Sequence, residues 1–292
     1  MTLQSTVPEL SISPEVLAWL RSCCERPDAL VQFEKTALEG SFDDPFLASE
    51  AWRRFTEHVH ELWKMHDHAV IRGVPEIGDG ASLLLVSSCL SRRFKPYRKD
   101  RVVKHFRMSP WTTELSHTLQ AGHFHTDINT APTPPVLTGI QCRVPDPGCP
   151  RYGELRVARL SELLVALRQQ GTASTLEFLE RSDVTMVNET SPGGWTGRIV
   201  EGGRIRFHPE TLRAGQRRYG SNPPDFEEHL RVIHEAALAV SVPIQLAAGE
   251  VLLVSNTRAL HYRGECSVVF QTFPRHFASR EVYVLHLLDE PL

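Results

Sequence analysis

His125 and Asp127, in the run His123-Phe124-His125-Thr126-Asp127, together with His261 far downstream, constrain this chain more than any bulk property does. For the three to act together, two segments remote in sequence must lie side by side, as long-range strand pairing allows. Side chains alternate across a strand, so in an extended segment His125 and Asp127 project from one face while Thr126 points to the other. An imidazole from a distant strand then completes a set that covers one face of a metal ion and leaves the opposite face open. With fourteen His and thirty-five acidic residues in the chain, an H-x-D alone carries little weight. The downstream partner supplies it.

That partner follows a turn at Gly249, an apolar strand Val251-Leu252-Leu253-Val254 and a polar corner at Ser255-Asn256. Beyond His261, Val268-Val269-Phe270-Gln271-Thr272-Phe273-Pro274-Arg275 reads as another strand ending in a cation. A guanidinium fork matches a carboxylate with two parallel hydrogen bonds. Arg275, fourteen positions after His261, is therefore the candidate grip for the far carboxylate of a dicarboxylic co-substrate.

On these residues the chain resembles the non-haem Fe(II)- and 2-oxoglutarate-dependent oxygenases, in the taurine dioxygenase and clavaminate synthase-like branch. That branch shows H-x-D or H-x-E, a distal N-x-x-x-x-H, matched here by Asn256 to His261, and an Arg a dozen or so residues on. The early His68-Ala69-Val70-Ile71-Arg72-Gly73 strand and turn, and the prolines 132, 134 and 135 after the ligand pair, agree with it. The resemblance spans His68 to the end, and identifies a superfamily and not a substrate.

The resemblance implies an α+β, mainly β fold: a double-stranded β-helix (jelly roll) with N-terminal and inserted helices. It implies Fe(II) held by His125, Asp127 and His261, with 2-oxoglutarate held on the iron and by Arg275, and O2 as the second co-substrate. The expected reaction is hydroxylation of an unactivated C–H of a small polar molecule such as an amino acid or biosynthetic intermediate, with desaturation or cyclisation as variants. Halogenases of the superfamily lack the carboxylate, so Asp127 argues for hydroxylation. One position departs from the pattern: where the family carries G-G-x-T, this chain has Tyr152-Gly153-Glu154-Leu155, and Leu155 has no hydroxyl to offer 2-oxoglutarate. A cupin-like metal enzyme that does not use 2-oxoglutarate, or a non-catalytic ligand-binding member, is the alternative.

Other candidates are weighed against these. His123 could compete with Asp127 as a ligand, but is expected to stand behind the metal. His58 and His60 fall in a helical stretch, where residues two apart diverge. His66-Asp67-His68 is expected at the polar surface. Arg258 and Arg280 rival Arg275; the first is expected to be structural or substrate-side, the second to lie in a turn beyond the barrel strand. Asn256 is expected to satisfy backbone groups at its corner, and Arg206 and His208 to be exposed.

Length and composition allow one domain, 1–292, with a mainly helical brace over 1–67 and the jelly-roll core over 68–292. A hydrophobic fraction of 41% supplies a core, and a net charge of −3 gives no field to draw in a phosphate backbone. The basic stretch from Arg92 to Arg101 reads as a solvated rim. Six Cys without a C-x-x-C suit reduced thiols. Residues 1–5 lack a basic and apolar leader pattern and no apolar run reaches a membrane-spanning length, so a cytoplasmic protein acting on small molecules, without nucleic acid or membrane partners, is expected.

Ser13 and Pro14 suit the start of a helix ending before Pro27. Further helices are expected over 46–65, 81–94, 160–179 with a break at Gly171, and 226–240. A hairpin is expected with its turn at Glu201-Gly202-Gly203. Two Gly- and Pro-bearing stretches, 188–197 and 212–224, read as loops; the first is an even candidate for a lid, the second an ordinary surface loop.

Overall fold

Alternation along the central strands sorts their side chains onto two sides, and the layers of the molecule follow. The computed structural model describes residues 7–188, 193–220, 222, 223 and 225–290. In chain order its strands are β1 (Glu9–Ser11), β2 (His68–Arg72), β3 (Lys104–Arg107), β4 (Leu137–Val144), β5 (Leu155–Arg159), β6 (Asp183–Val187), β7 (Gly194–Arg198), β8 (Val200–Glu201), β9 (Arg204–Ile205), β10 (Pro243–Ile244), β11 (Val251–Ser255), β12 (Ala259–Arg263), β13 (Val268–Thr272), β14 (His276–Ser279) and β15 (Glu281–Leu287). Its α-helices are α1 (Pro14–Cys24), α2 (Ala29–Glu39), α3 (Glu50–His66), α4 (Ala81–Ser87), α5 (Leu160–Gln169), α6 (Ala173–Glu180), α7 (Pro209–Tyr219) and α8 (Phe226–Val240).

A larger sheet has the order β1-β2-β11-β4-β15-β3, and a smaller one the order β10-β5-β12. Within β11, Leu252 and Val254 face inward, where they meet Ile140 and Cys142 of β4, Leu155 and Val157 of β5 and Val282 of β15. Val251 and Leu253 face outward, onto a core shared with α1 to α4. Ala158 and Leu260, on the outer side of the small sheet, pack with α5, α6 and α8. The order is thus helices, large sheet, apolar interior, small sheet, helices. Each sheet buries one face against its partner and the other against helices, as layered packing requires.

The N-terminal helices hold by packing more than by capping. Trp52, Phe55, Val59 and Trp63 recur at three- and four-residue spacing on α3 and are all buried. Each such side chain is worth about 1.5–3 kcal/mol on burial, whereas the Ser49 cap on Trp52 N contributes about 1 kcal/mol. Ser13 caps α1 as expected, and Pro14 occupies its first turn. α8 spans Phe226–Val240, and Gly171, at φ 71°, separates α5 from α6. The hairpin β8–β9 turns at Gly202-Gly203.

Three expectations are corrected. The helix over 81–94 stops at Ser87, because Phe94 must be extended to bridge Leu287 of β15. Residues 46–65 divide into a short 3-10 turn, Pro45–Ala48, and α3. The stretch 212–224, read as a loop, lies largely in α7, which starts at Pro209 behind His208 as cap. Its Gly215 sits where the helix presses on β6: a Cβ there would lie 1.9 Å from the Thr185 carbonyl oxygen. In the proposed lid, Gly194–Arg198 forms β7 paired with β6, and residues 189–192 lie outside the described part. Among the described residues no helix is long and apolar enough to cross a membrane.

Candidate metal centre

His125 and His261 form an isolated antiparallel bridge, each backbone N–H donating to the other's carbonyl at 3.0 and 3.1 Å. Residues directly opposed in such a pair project from the same face, and the two imidazole centroids are 4.3 Å apart. Thr126, between the ligands, points the other way, where its N–H and hydroxyl bond the Phe207 backbone. Asp127 then returns to the imidazole side. Its Oδ1 is 3.5 Å from His125 Nε2, and its Oδ2 is 3.4 Å from His261 Nε2. Among the described residues these three form the cluster that could hold a metal ion, with donor atoms all within 4.8 Å of one another.

Neighbouring groups fix each donor. His125 Nδ1 lies 2.7 Å from the His123 carbonyl, so Nδ1–H donates and Nε2 keeps its lone pair toward Asp127. Asn256 clamps the Asp127 backbone from both sides: its Oδ1 accepts from Asp127 N at 2.6 Å and its Nδ2 donates to Asp127 O at 3.0 Å. The same amide donates to Pro135 O at 2.9 Å, which ties the proline link to the ligand corner. Thr138 Oγ1 and His286 Nε2 donate to Asp127 Oδ2 at 2.8 and 3.1 Å.

Charge is shared accordingly. Burial would raise the Asp127 carboxyl, but the His261 charge and the surrounding His125, His261 and His286 rings hold it well below the usual range. Burial lowers His125, yet the neighbouring Asp127 carboxylate outweighs it and leaves its pKa raised. Burial lowers His261. Burial, reinforced by His125 and His123, pushes His208 down to about 3. His208 is therefore neutral at pH 7, its Nδ1 accepting from Glu210 N at 3.2 Å, and its ring centroid lies 5.0 Å from that of His125.

This donor set fits a divalent transition metal. Two ligand atoms each roughly 2.1 Å from one ion and at right angles lie about 3 Å apart, close to the spacings seen here. His261 turns Nε2 toward Asp127, and its Nδ1 is buried with no hydrogen-bond partner among the described residues.

Other sequence candidates fall elsewhere. Arg275 lies at the turn of the β13–β14 hairpin, exposed, lining a surface recess with Trp111, Pro274 and Phe277; it is not brought to the cluster. The fourteen-residue spacing presumed one strand leading back to the site, whereas residues 268–279 fold on themselves. Arg280, expected in a turn outside, is buried, 3% exposed, and among the described residues no hydrogen bond or ion pair engages its guanidinium. Burial lowers its pKa, against which the Cys266 and Cys142 thiols act to raise it. Its Cδ is 3.3 Å from where a Cβ on Gly153 would sit, so Gly153 leaves it room. The adjacent Ser279 hydroxyl is also buried without a partner. Leu155 lies in the interior apolar cluster.

His123 pairs with Glu210 at 3.2 Å and serves the site through its carbonyl. His60 bonds Cys89 O from α3. His68 is buried in β2 and not at the surface. Arg258 is structural, paired with Asp67 at 2.6 Å and Glu290 at 3.1 Å. Arg206 is half-buried, holding the carbonyls of Asn129 and Ala131 beneath Trp195. His208, expected to be exposed, is half-buried beside His125. Thr138 and His286 carried no sequence signal of their own. Their roles arise from register.

No protein-family model matches the chain, and no curated protein does. Solved structures do. Asparagine oxygenase (AsnO) aligns at 17% identity with TM-score 0.64, covering 96% of this chain and 93% of that one. The non-haem iron oxygenase OrfP, in complex with Fe, succinate and (3R,4R)-dihydroxy-L-Arg, aligns at 15% identity with TM-score 0.65, over 96% and 94%. PvcB from Pseudomonas aeruginosa aligns at 17% identity with TM-score 0.57, over 80% and 79%. Over nearly its whole length, this chain has the fold of solved non-haem iron oxygenases.

Proposed function

We propose that this protein is an Fe(II)- and 2-oxoglutarate-dependent oxygenase that hydroxylates a small polar molecule, with a free amino acid as the first class to test. The convergence of His125, Asp127 and His261 carries the reading. The fold neighbours add to it: asparagine oxygenase has been solved with Fe(II), 3-hydroxyasparagine and succinate, and OrfP with Fe and α-ketoglutaric acid. Iron at the triad would couple decarboxylation of 2-oxoglutarate to C–H hydroxylation by O2. The two facing sheets support a reading as a double-stranded β-helix, and six unpaired thiols suit a reducing, cytoplasmic setting.

The chain's own residues bind, orient and exclude water. His125, Asp127 and His261 would hold the metal from one side. Arg280, in place of Arg275, is the proposed grip for the distal carboxylate of 2-oxoglutarate. A buried guanidinium without a partner is costly, and a carboxylate repays it with two charge-assisted hydrogen bonds. Cys142, Val282, Leu155 and Val157 are buried in the interior apolar cluster, a low-dielectric surround that strengthens charge pairing and keeps water away. His208, neutral with Nε2–H free to donate, stands beside His125 to orient a substrate acceptor.

Anaerobic titration with Fe(II) and 2-oxoglutarate tests the reading. Chelated 2-oxoglutarate gives a weak visible charge-transfer band. The band should form in the wild type, vanish in His261→Ala and weaken strongly in Arg280→Met. Iron binding without any band would favour a metal enzyme of another kind.

A further inference from the structure

The two oxygens of Asp127 are treated differently by the protein. Oδ2 accepts from Thr138 Oγ1 at 2.8 Å and His286 Nε2 at 3.1 Å, while among the described residues no hydrogen bond engages Oδ1, which lies 3.5 Å from His125 Nε2. His261 Nε2, at 3.4 Å from Oδ2, is beyond a good hydrogen bond.

Sheet register delivers both donors. His286 of β15 pairs with Thr138 of β4, which pairs with Val254 of β11. Val254 belongs to the interior cluster, so Thr138 and His286 face inward beside it. A shift of β15 by one residue would replace His286 with Leu285 or Leu287. His286 is not one of the three residues whose donor atoms converge. It meets the carboxylate through Oδ2.

A carboxylate can take one or two positions on a metal. Two imidazoles and a one-oxygen carboxylate leave three places on a six-coordinate ion; a chelating carboxylate leaves two. We propose that His286 and Thr138 act together as positioning residues that occupy Asp127 Oδ2 and hold the carboxylate to one-oxygen ligation. This rests on the triad binding a metal, and adds that the number of open positions is set by β4 and β15, outside the ligand motifs.

Co(II) is a redox-stable probe for the test. Wild type, His286→Leu, His286→Gln, Thr138→Val and the Thr138→Val/His286→Leu double variant are titrated with Co(II), and then, loaded, with 2-oxoglutarate. Infrared difference spectra with 13C-labelled aspartate read the splitting between the carboxylate stretches, wide for one-oxygen binding and narrow for chelation. Thermal unfolding checks the fold, and Thr138→Val is nearly isosteric should the double variant fail to fold.

The double variant should keep Co(II), show the narrowed splitting and bind 2-oxoglutarate about 10–100-fold more weakly, the usual range for loss of such a partner. His286→Gln, which retains a donor, should stay near wild type. Wild-type splitting in Thr138→Val and in His286→Leu alike would overturn the proposal. So would loss of Co(II) from His286→Gln as complete as from His125→Ala, which would make His286 a ligand. A wild type that binds no Co(II) would instead defeat the metal reading beneath it.

Discussion

The two ends of the interior between the sheets are built in opposite ways. At the end holding Asp127, the protein meets its own needs: Asn256 clamps the ligand backbone, Thr138 and His286 hold one carboxylate oxygen, and the His123 carbonyl fixes a ring. At the other end Arg280 is buried with no partner, and the Ser279 hydroxyl beside it has none. The first end is rigid before anything binds. Under the proposed function the second is completed by an anion, and its unpaired charge is a cost to the ligand-free fold. A site that must hold a metal through many turnovers, yet admit and release a co-substrate each time, has reason to be built so.

The comparison breaks first at Asp127. Asp127→Ala should lower Co(II) affinity by at least about 100-fold, more than removal of a supporting hydrogen bond does, as titration calorimetry would read. Near-normal affinity would mean that the rigid end is not a metal site. Arg280→Met should act in two directions. It should weaken 2-oxoglutarate binding by about 100-fold, a loss of about 3 kcal/mol, yet raise the stability of the ligand-free protein by about 1 kcal/mol or more as an unpaired buried charge disappears. Denaturant melts with and without 2-oxoglutarate separate these effects, and equal destabilisation in both would deny the contrast.

A smaller effect comes from pH. His68 continues the interior row of the ligand end through its pairing with Val254, and burial lowers its pKa from 6.5 to about 4. The folded chain refuses a proton that the unfolded chain accepts. Stability is therefore full above pH 6.5 and declines as pH falls toward 4, by about 2 kcal/mol at pH 5 from this ring. His68→Phe, which cannot titrate, should flatten that part of the profile; an unchanged slope would assign the acid sensitivity elsewhere. Smallest of all, Arg275→Ala should leave 2-oxoglutarate affinity within about twofold, because its guanidinium stands at an exposed hairpin turn.

What was legible in the sequence is what local spacing encodes. His125 and Asp127 share a face through period two, His261 lies in its own short motif, and the stripe on α3 and the cap at Ser13 read directly. Arg280 and His286 could not be read this way. Their meaning depends on where β15 lies against β4, and on the β13–β14 hairpin that displaces Arg275. α7 was hidden for a related reason: Gly215 reads as a breaker until β6 is seen pressed against it. Leu155 was legible as a departure, but the buried Arg280 and Ser279 near Gly153 come only from the fold.

The opening strand has a consequence for association. β1, three residues long, lies parallel to β2 at the outer edge of the large sheet, pinned by Arg72 between Glu9 and Glu250. The opposite edge, β3, carries Lys104 and Arg107 and needs no cover. β2 has no such protection: four of its five residues are buried, and its core is Ala69-Val70-Ile71. Cleavage after residue 12 would bare a flat apolar edge with unpaired backbone groups. Removing a segment outside the ligand triad would then leave a chain that zips onto its own copies.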